Sequence, residues 1–334
     1  MKRNILVTGG LGFIGSNFIN YYYENNALKD FSIVNLDKHT YAASIDNTKT
    51  FNHYKNYHLI KGDICNRELV KYVFEKYKIT DVVNFAAESH VDNSISNPSI
   101  FIESNINGVC CLLDASREYW KDEYSKHRFI QISTDEVYGS MNLSSKHRWK
   151  EEEPLNPRSP YSASKAGAEH LCTSYYTTYD LPIIITRSSN NFGPRQHKEK
   201  FIPVILSSLK NKTNIPIYGK GENIRDWMYV EDNCKAVGLV LEKGKIGNVY
   251  NIGANNEIKN KTLVTMIINA YCCMQDYNVD EYKKLITYVQ DRLGHDLKYS
   301  IDIDKIKKLG WNPPKRNSMH DNIVKTIGWY HGDK

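Results

Sequence analysis

The stretch "ILVTGGLGFIGS", residues 5–16, decides the fold. Ile5 to Thr8 are apolar or β-branched and read as a strand; Gly9, Gly12 and Gly15 follow at three-residue spacing, with Phe13 and Ile14 between the last two. Glycine at such positions permits a tight turn, close backbone approach to a pyrophosphate and close packing of helix on strand. The N-terminus of the helix that follows then faces the anion. A basic tip and an apolar run also resemble a signal peptide, but the strand–turn–helix reading accounts for each interrupting glycine.

Such a glycine run by itself also marks an ordinary turn. The context adds Asp37, which closes the next β-rich run 22 residues beyond Gly15. That is the distance expected of an acid that binds ribose hydroxyls, and its charge repels a 2′-phosphate, favouring NAD over NADP. Lys38 beside it softens the preference, and Thr40 lies on the same loop. Further β-branched runs, Ser32 to Leu36, His58 to Lys61, Asp81 to Phe85, Phe129 to Ser133 and Ile183 to Arg187, alternate with helical patterns. This predicts an α/β fold, a doubly wound parallel sheet of the Rossmann type. Asp63 and Ile64 end the third strand at the adenine edge, while small Ala86 and Ala87 end the fourth and let a cofactor lie close above the sheet. Ser89, His90 and Asp92 follow at the edge where such sheets bind ligands; His90 is assigned no catalytic part.

After Ser188 the alternation is lost in loops rich in Asn, Gly and Pro. "NVYNIG", residues 248–253, reads as a strand returning to the first sheet. The expected division is 1–187 plus 229–254 for the cofactor domain. A smaller, mixed, helix-rich substrate region, 188–228 plus 255–334, interleaves at the C-terminal side. With 334 residues, 41% hydrophobic and 25% charged, the chain can bury a full core. Its net charge of +6 suits an anionic small molecule, and without a long Lys/Arg run nucleic acid is not expected as a partner. Seven cysteines without a Cys-x-x-Cys pair indicate neither a metal site nor a disulfide framework, hence a reducing, cytoplasmic setting. No apolar run reaches the ~20 residues that span a bilayer, so no membrane is expected.

Two further motifs carry chemistry. In "SPYSASK", Tyr161 and Lys165 stand at i, i+4 and share a helix face. A phenol with a pKa of about 10 becomes a usable base when a cation stabilises its phenolate. In "QISTDEVYGS", residues 131–140, a buried strand surfaces into Thr134, Asp135 and Glu136. One reading is a capping box from Ser133 to Glu136. For both carboxylates to reach one ligand, the strand must instead stop near Thr134 and a turn must follow, because neighbours in a strand point to opposite faces.

The order of glycine loop, acidic strand end, Ser/Thr strand end and Tyr-x-x-x-Lys helix resembles the extended short-chain dehydrogenase/reductase family throughout the chain. "STDEVYG", "AAESHVD", "SPYSASK", "SNNFGP", "EKFIP", "YGKGENIRDWMYVED", "YNIG" and "GHD" are similar to those of the dTDP-glucose 4,6-dehydratases within it. The resemblance implies oxidation at C4 of the sugar by bound NAD, loss of water across C5 and C6, and hydride return to C6, in deoxysugar (rhamnose-type) biosynthesis. It implies Asp135 as acid to the C6 hydroxyl, Glu136 as base at C5, and Thr134 beside Tyr161 on the C4 oxygen. Asn190 is expected to contact cofactor and substrate; Asn191, Lys200, Arg225, Asn260, Arg292 and His295 supply further substrate contacts. A homodimer is implied as well. Thymine and uracil stay open as the base, since either nucleotide sugar suits the same catalytic residues. The alternatives are a C4 epimerase or decarboxylase of this family, which lacks the Asp-Glu pair, and a non-catalytic NAD-sensing regulator.

Overall fold

The computed structural model describes residues 2–26, 30–291, 294–313 and 318–332. In chain order the strands are β1 (Arg3–Thr8), β2 (Phe31–Asp37), β3 (Tyr57–Lys61), β4 (Asp81–Asn84), β5 (Arg128–Thr134), β6 (Ile183–Ser188), β7 (Asn190–Phe192), β8 (Ile215–Tyr218), β9 (Ile224–Tyr229), β10 (Val249–Ile252), β11 (Glu257–Lys259) and β12 (Ile286–Val289). Seven of them form a parallel sheet in the order β10-β6-β5-β4-β1-β2-β3. From β1 the chain winds outward through β2 and β3, then crosses back to β4 on the other side. The strand order therefore reverses between β1 and β4, which opens a crevice at their C-terminal ends. The six strand positions expected from the β-branched runs match β1 to β6 within two residues at each end, and the 248–253 segment does return to the sheet, as β10 beside β6.

Period-two alternation explains how both faces are covered. Ile5 and Val7 of β1 and Ile130 and Ile132 of β5 enter one core, with Phe18, Ile19 and Tyr22 of the helix Phe13–Asn26 and Val237, Val240 and Leu241 of the helix Val230–Lys243. Leu6 and Phe129, one residue out of phase, enter the opposite core with Val70, Val73 and Phe74 of Arg67–Tyr77 and Leu112 and Leu113 of Gly108–Trp120. A third core gathers Phe192, Ile205, Leu206, Ile217, Trp227, Leu263, Ile267 and Ile323 around the small sheets β11-β9-β7 and β12-β8. Strand β9 joins the regions: Trp227 and Tyr229 belong to the third core and Met228 to the first.

Polar side chains tie the strand ends under the crevice. Thr8 donates its hydroxyl to Asn84 Oδ1, and Asn84 Nδ2 donates to Gln131 Oε1 at 2.8 Å, linking β1, β4 and β5. The Ala86 amide donates to Thr8 Oγ1 at 3.2 Å. The glycine turn is held from β2, where Asn35 accepts from the Gly10 amide and Asp37 from the Leu11 amide, at 3.0 and 2.9 Å. Gly9 has φ +69°, and a Cβ there would lie 2.8 Å from the backbone of Ala86. A Gly9→Ala chain should accordingly lose about 1–3 kcal/mol of stability from the strained conformation alone, plus the clash between β1 and β4. Thermal melting reads this; an unchanged midpoint would show that the turn relaxes freely.

Candidate active site

The crevice is lined from the glycine turn to the loops beyond β6. It brings together Gly9, Gly12, Phe13, Ile14, Gly15, Asp37, Lys38, Thr40, Asp63, Ile64, Ala86, Ala87, Ser89, Thr134, Glu136, Tyr161, Lys165, Asn190, Asn191 and Lys200, all expected from the sequence. Asp135 lies just beneath this lining, 2% exposed. Arg225, Asn260 and His295 are not part of the lining. The Arg225 guanidinium donates to the carbonyls of Ile224 and Asp296 at 2.9 and 2.8 Å and lies 4.4 Å over the Tyr299 ring. A fork onto phosphate is thus not its arrangement here. Asn260 begins the helix Asn260–Gln275, with its Oδ1 buried and unpartnered among the described residues. His295 Nδ1 pairs with Asp291 at 2.6 Å. Arg292 lies outside the described residues.

Local chemistry explains each position. Strand β5 ends at Thr134, and the 3₁₀ turn Asp135–Tyr138 begins at once. The cap is Thr134, whose Oγ1 accepts from the Glu136 amide at 3.3 Å. The strand does stop at Thr134, as two carboxylates at one site require; the capping-box alternative from Ser133 is not formed, since the N-cap is Thr134, and the Glu136 side chain lines the crevice. Helix Pro160–Tyr179 starts where a Ser-Pro start should. Ser159 and Ser162 cap each other reciprocally and Pro160 occupies the first turn, which sets Tyr161 and Lys165 at the helix mouth. Lys165 is 5% exposed, and its Nζ donates to the Ile132 carbonyl at 2.6 Å, fixing the ammonium against β5.

The electrostatics separate the two carboxylates. Burial, then the neighbouring charges of Glu136 and Asp226, push the Asp135 carboxyl well above its ordinary range, with Arg225 opposing. Burial thus favours the protonated form of Asp135 over its carboxylate. Its Oδ2 is buried with no hydrogen-bond partner among the described residues. Burial also raises the Tyr161 phenol, as does Glu136, while a hydrogen bond with Thr134 lowers it. Burial brings Lys165 down to about 8, opposed by Glu169. Desolvation is thus the largest influence on the phenol, and positive charge brought beside it would favour the phenolate.

On the other side, Asp37 accepts from the Leu11 and His39 amides at 2.9 and 2.7 Å. Lys38 pairs with Asp63 at 2.7 Å, drawing the two strand-end residues together. Sequence reading passed over Ser104, Gln196, His197 and Glu88, which also line the crevice. Ser104 sits in a π turn, Glu103–Asn107. Asn105 of that turn holds Glu88 at both backbone groups, at 2.8 and 3.0 Å, and donates to Ser164 at 2.8 Å. Only the three-dimensional path of the π turn reveals this link. The Lys200 ammonium donates to the Ser89 carbonyl at 2.8 Å across the mouth. A dinucleotide fits these residues: the glycine cradle leaves no room for a Cβ, and Ser133 Oγ, Asn190 Oδ1 and Gln196 Oε1 are buried and unpartnered among the described residues.

Residues 6–321 match the model of the GDP-mannose 4,6 dehydratase family. A low-salt glycan biosynthesis protein of Haloferax volcanii is 46% identical over 330 residues, covering 99% of this chain and 99% of its own. The dTDP-glucose 4,6-dehydratase of Haemophilus influenzae is 44% identical over 335 residues, covering 98% and 97%. Among solved structures, a dTDP-glucose 4,6-dehydratase of Streptomyces venezuelae with NAD bound superposes with a TM-score of 0.89 at 36% identity, covering 99% of this chain and 97% of its own.

The raised Asp135 pKa has a thermodynamic sign. The folded chain keeps this proton to higher pH than the unfolded one, so the group's contribution is fully present below the unfolded pKa of about 4 and is lost as pH rises through the raised value. An Asp135→Asn chain escapes that loss. The melting temperature of the variant minus that of the parent should grow as pH rises from 4 to 8. A constant difference across this range would contradict the buried proton.

Proposed function

We propose a division of labour for this chain, which belongs to the GDP-mannose 4,6 dehydratase family: Tyr161 and Lys165 serve oxidation at C4 of a nucleotide-bound glucose, and Asp135 and Glu136 serve loss of water across C5 and C6. The protein is an enzyme, an NAD-dependent nucleotide-sugar 4,6-dehydratase. The observation that carries the division is the buried Asp135, its carboxyl pushed upward by burial, beside the crevice-lining Glu136 in one turn, next to Tyr161.

NAD, held by the glycine turn and Asp37, would supply reversible hydride acceptance between C4 and C6, leaving no net redox change. Tyr161 takes the C4 hydroxyl proton, with Thr134 as the hydrogen-bond partner that lowers the phenol's pKa. Lys165, still mostly charged below its pKa of about 8, supplies positive charge from the same helix face. A C4 ketone acidifies the hydrogen at C5, and Glu136 removes it. Asp135 delivers its retained proton to the departing C6 hydroxyl, so water leaves. General acid and base groups of this kind each contribute about 10²–10⁴-fold. An epimerase needs no such acid–base pair at C5 and C6, which favours the dehydratase.

The glycine turn, Asp37, Lys38, Thr40, Asp63, Ile64, Ala86 and Ala87 hold the cofactor in this reading. Ser89, Asn190, Asn191 and Lys200 meet the nucleotide sugar, and Asn260, Arg292 and His295 are its further contacts in this reading. Arg225 acts on Asp135 from behind the crevice. The names of the curated relatives favour dTDP-glucose, with UDP-glucose as the second candidate. The cofactor domain is taken as 1–187 plus 229–254 and the substrate region as 188–228 plus 255–334. The third hydrophobic core, drawn mainly from the latter segments, supports this. Exposed Tyr119, Tyr176 and Tyr179 on the helices Gly108–Trp120 and Pro160–Tyr179 support a homodimer. Free cysteines among the described residues agree with a cytoplasmic setting. No helix of the described residues is long and apolar enough to cross a membrane.

Incubation with dTDP-glucose and with UDP-glucose should give a product lacking one water, identified by mass and NMR; a C4 epimer of unchanged mass would contradict the proposal. In Glu136→Gln, water loss should slow about 10²-fold or more while C4 oxidation persists. Reduced nicotinamide absorbance should then build up on the enzyme. Normal turnover in that variant would remove Glu136 from its role.

A further inference from the structure

The two pairs of reacting groups are carried by separate elements, the helix Pro160–Tyr179 and the turn Asp135–Tyr138. A buried polar cluster outside the crevice connects them. Glu169 stands one helical turn beyond Lys165 and two beyond Tyr161, on the same face. Its carboxylate accepts from Arg187 Nε at 3.0 Å and from Nη2 at 2.7 Å. Arg187 Nη1 donates to the Tyr138 hydroxyl at 2.6 Å, and the guanidinium lies 4.7 Å over the Tyr138 ring. The same hydroxyl donates to Asn251 Oδ1 of β10 at 2.8 Å. Glu169, Arg187, Tyr138 and Asn251 are all 5% exposed or less.

We propose that the Glu169–Arg187–Tyr138–Asn251 network is a positioning device that holds the Asp135–Glu136 turn in register with the Tyr161–Lys165 helix, coupling water loss to oxidation. The inference rests on the division of labour above. A chain of charge-assisted hydrogen bonds in a dry interior has little play. Tyr138 ends the four-residue turn that Asp135 begins, so freedom at the Tyr138 hydroxyl is transmitted to both carboxylates. Arg187 also pairs with Ser133 across β5 and β6, one residue before Thr134, which anchors the other end of the turn. Tyr161 and Lys165 need the network less: the reciprocal serine cap and the Ile132 carbonyl hold them independently. Loosening the network should therefore fall on elimination more than on oxidation.

The test is Tyr138→Phe, which removes one hydroxyl and leaves the ring in its place. Arg187 keeps its bonds to Glu169 and to the Glu151 carbonyl. In single turnovers of the holoenzyme, C4 oxidation is followed by reduced nicotinamide absorbance and water loss by quenched-flow mass analysis. Elimination should slow about tenfold or more, given the steep cost of small misplacements, while oxidation changes less than about twofold. Reduced cofactor then accumulates in the steady state. Asn251→Leu, which frees the same hydroxyl from its other side, should produce the same split. Equal slowing of both steps in the two variants, or full elimination rates despite a lowered melting temperature, would overturn the inference. A parent enzyme that oxidises no nucleotide glucose would instead defeat the division of labour on which the inference stands.

Discussion

A carboxyl group sealed in protein cannot easily hold a charge, and this constraint organises the site. Asp135 is shut beneath the crevice at the end of β5, and burial together with the charges of Glu136 and Asp226 pushes its carboxyl well above the ordinary range. Glu136, one residue on, lines the open crevice. Adjacent residues in a strand would face apart; the immediate switch from β5 into a 3₁₀ turn at Thr134 removes that alternation and keeps both carboxylates at one site. The two carboxylates are thus distinguished by depth.

The sheet supplies the rest of the arrangement. Reversal of strand order between β1 and β4 opens the crevice, and the Thr8–Asn84–Gln131 chain ties the ends of β1 and β4 to the middle of β5 beneath it. Cofactor and sugar must meet above β4 and β5, where Ala86 and Ala87 keep the floor low and Tyr161 and Lys165 lean in from the helix beside β5. Desolvation raises the Tyr161 phenol in the protein alone. Positive charge brought into the crevice would favour its ionisation.

Much of this was legible in the sequence because local rules and function coincide there. The glycine turn, Asp37 and the six strands follow from steric and periodic constraints that leave few options. Ser159-Pro160 announces the helix that carries Tyr161 and Lys165. Less legible was anything set by long-range packing. Arg225 reads as a phosphate ligand, yet its Nη1 and Nη2 donate to the Ile224 and Asp296 carbonyls. Asn105 and Ser104 are unremarkable in sequence and matter only because a π turn aims them at Glu88 and the crevice. The strand stop near Thr134 was legible from the need to bring both carboxylates to one site, and pairing with β6 as far as Ser188 sets it there. Arg187 and Glu169, 18 residues apart, meet through the return of β6 beside β5.

The central claim is that oxidation at C4 and reduction at C6 occur on one sugar in one site, with Asp135 and Glu136 removing water between them. Nucleotide glucose carrying deuterium at C4 tests this most directly, with the product examined by NMR and mass. The account predicts that the deuterium appears at C6 of the same molecule, in a product lacking one water. Deuterium still at C4, or an unlabelled C6 formed with hydride from elsewhere, would contradict it.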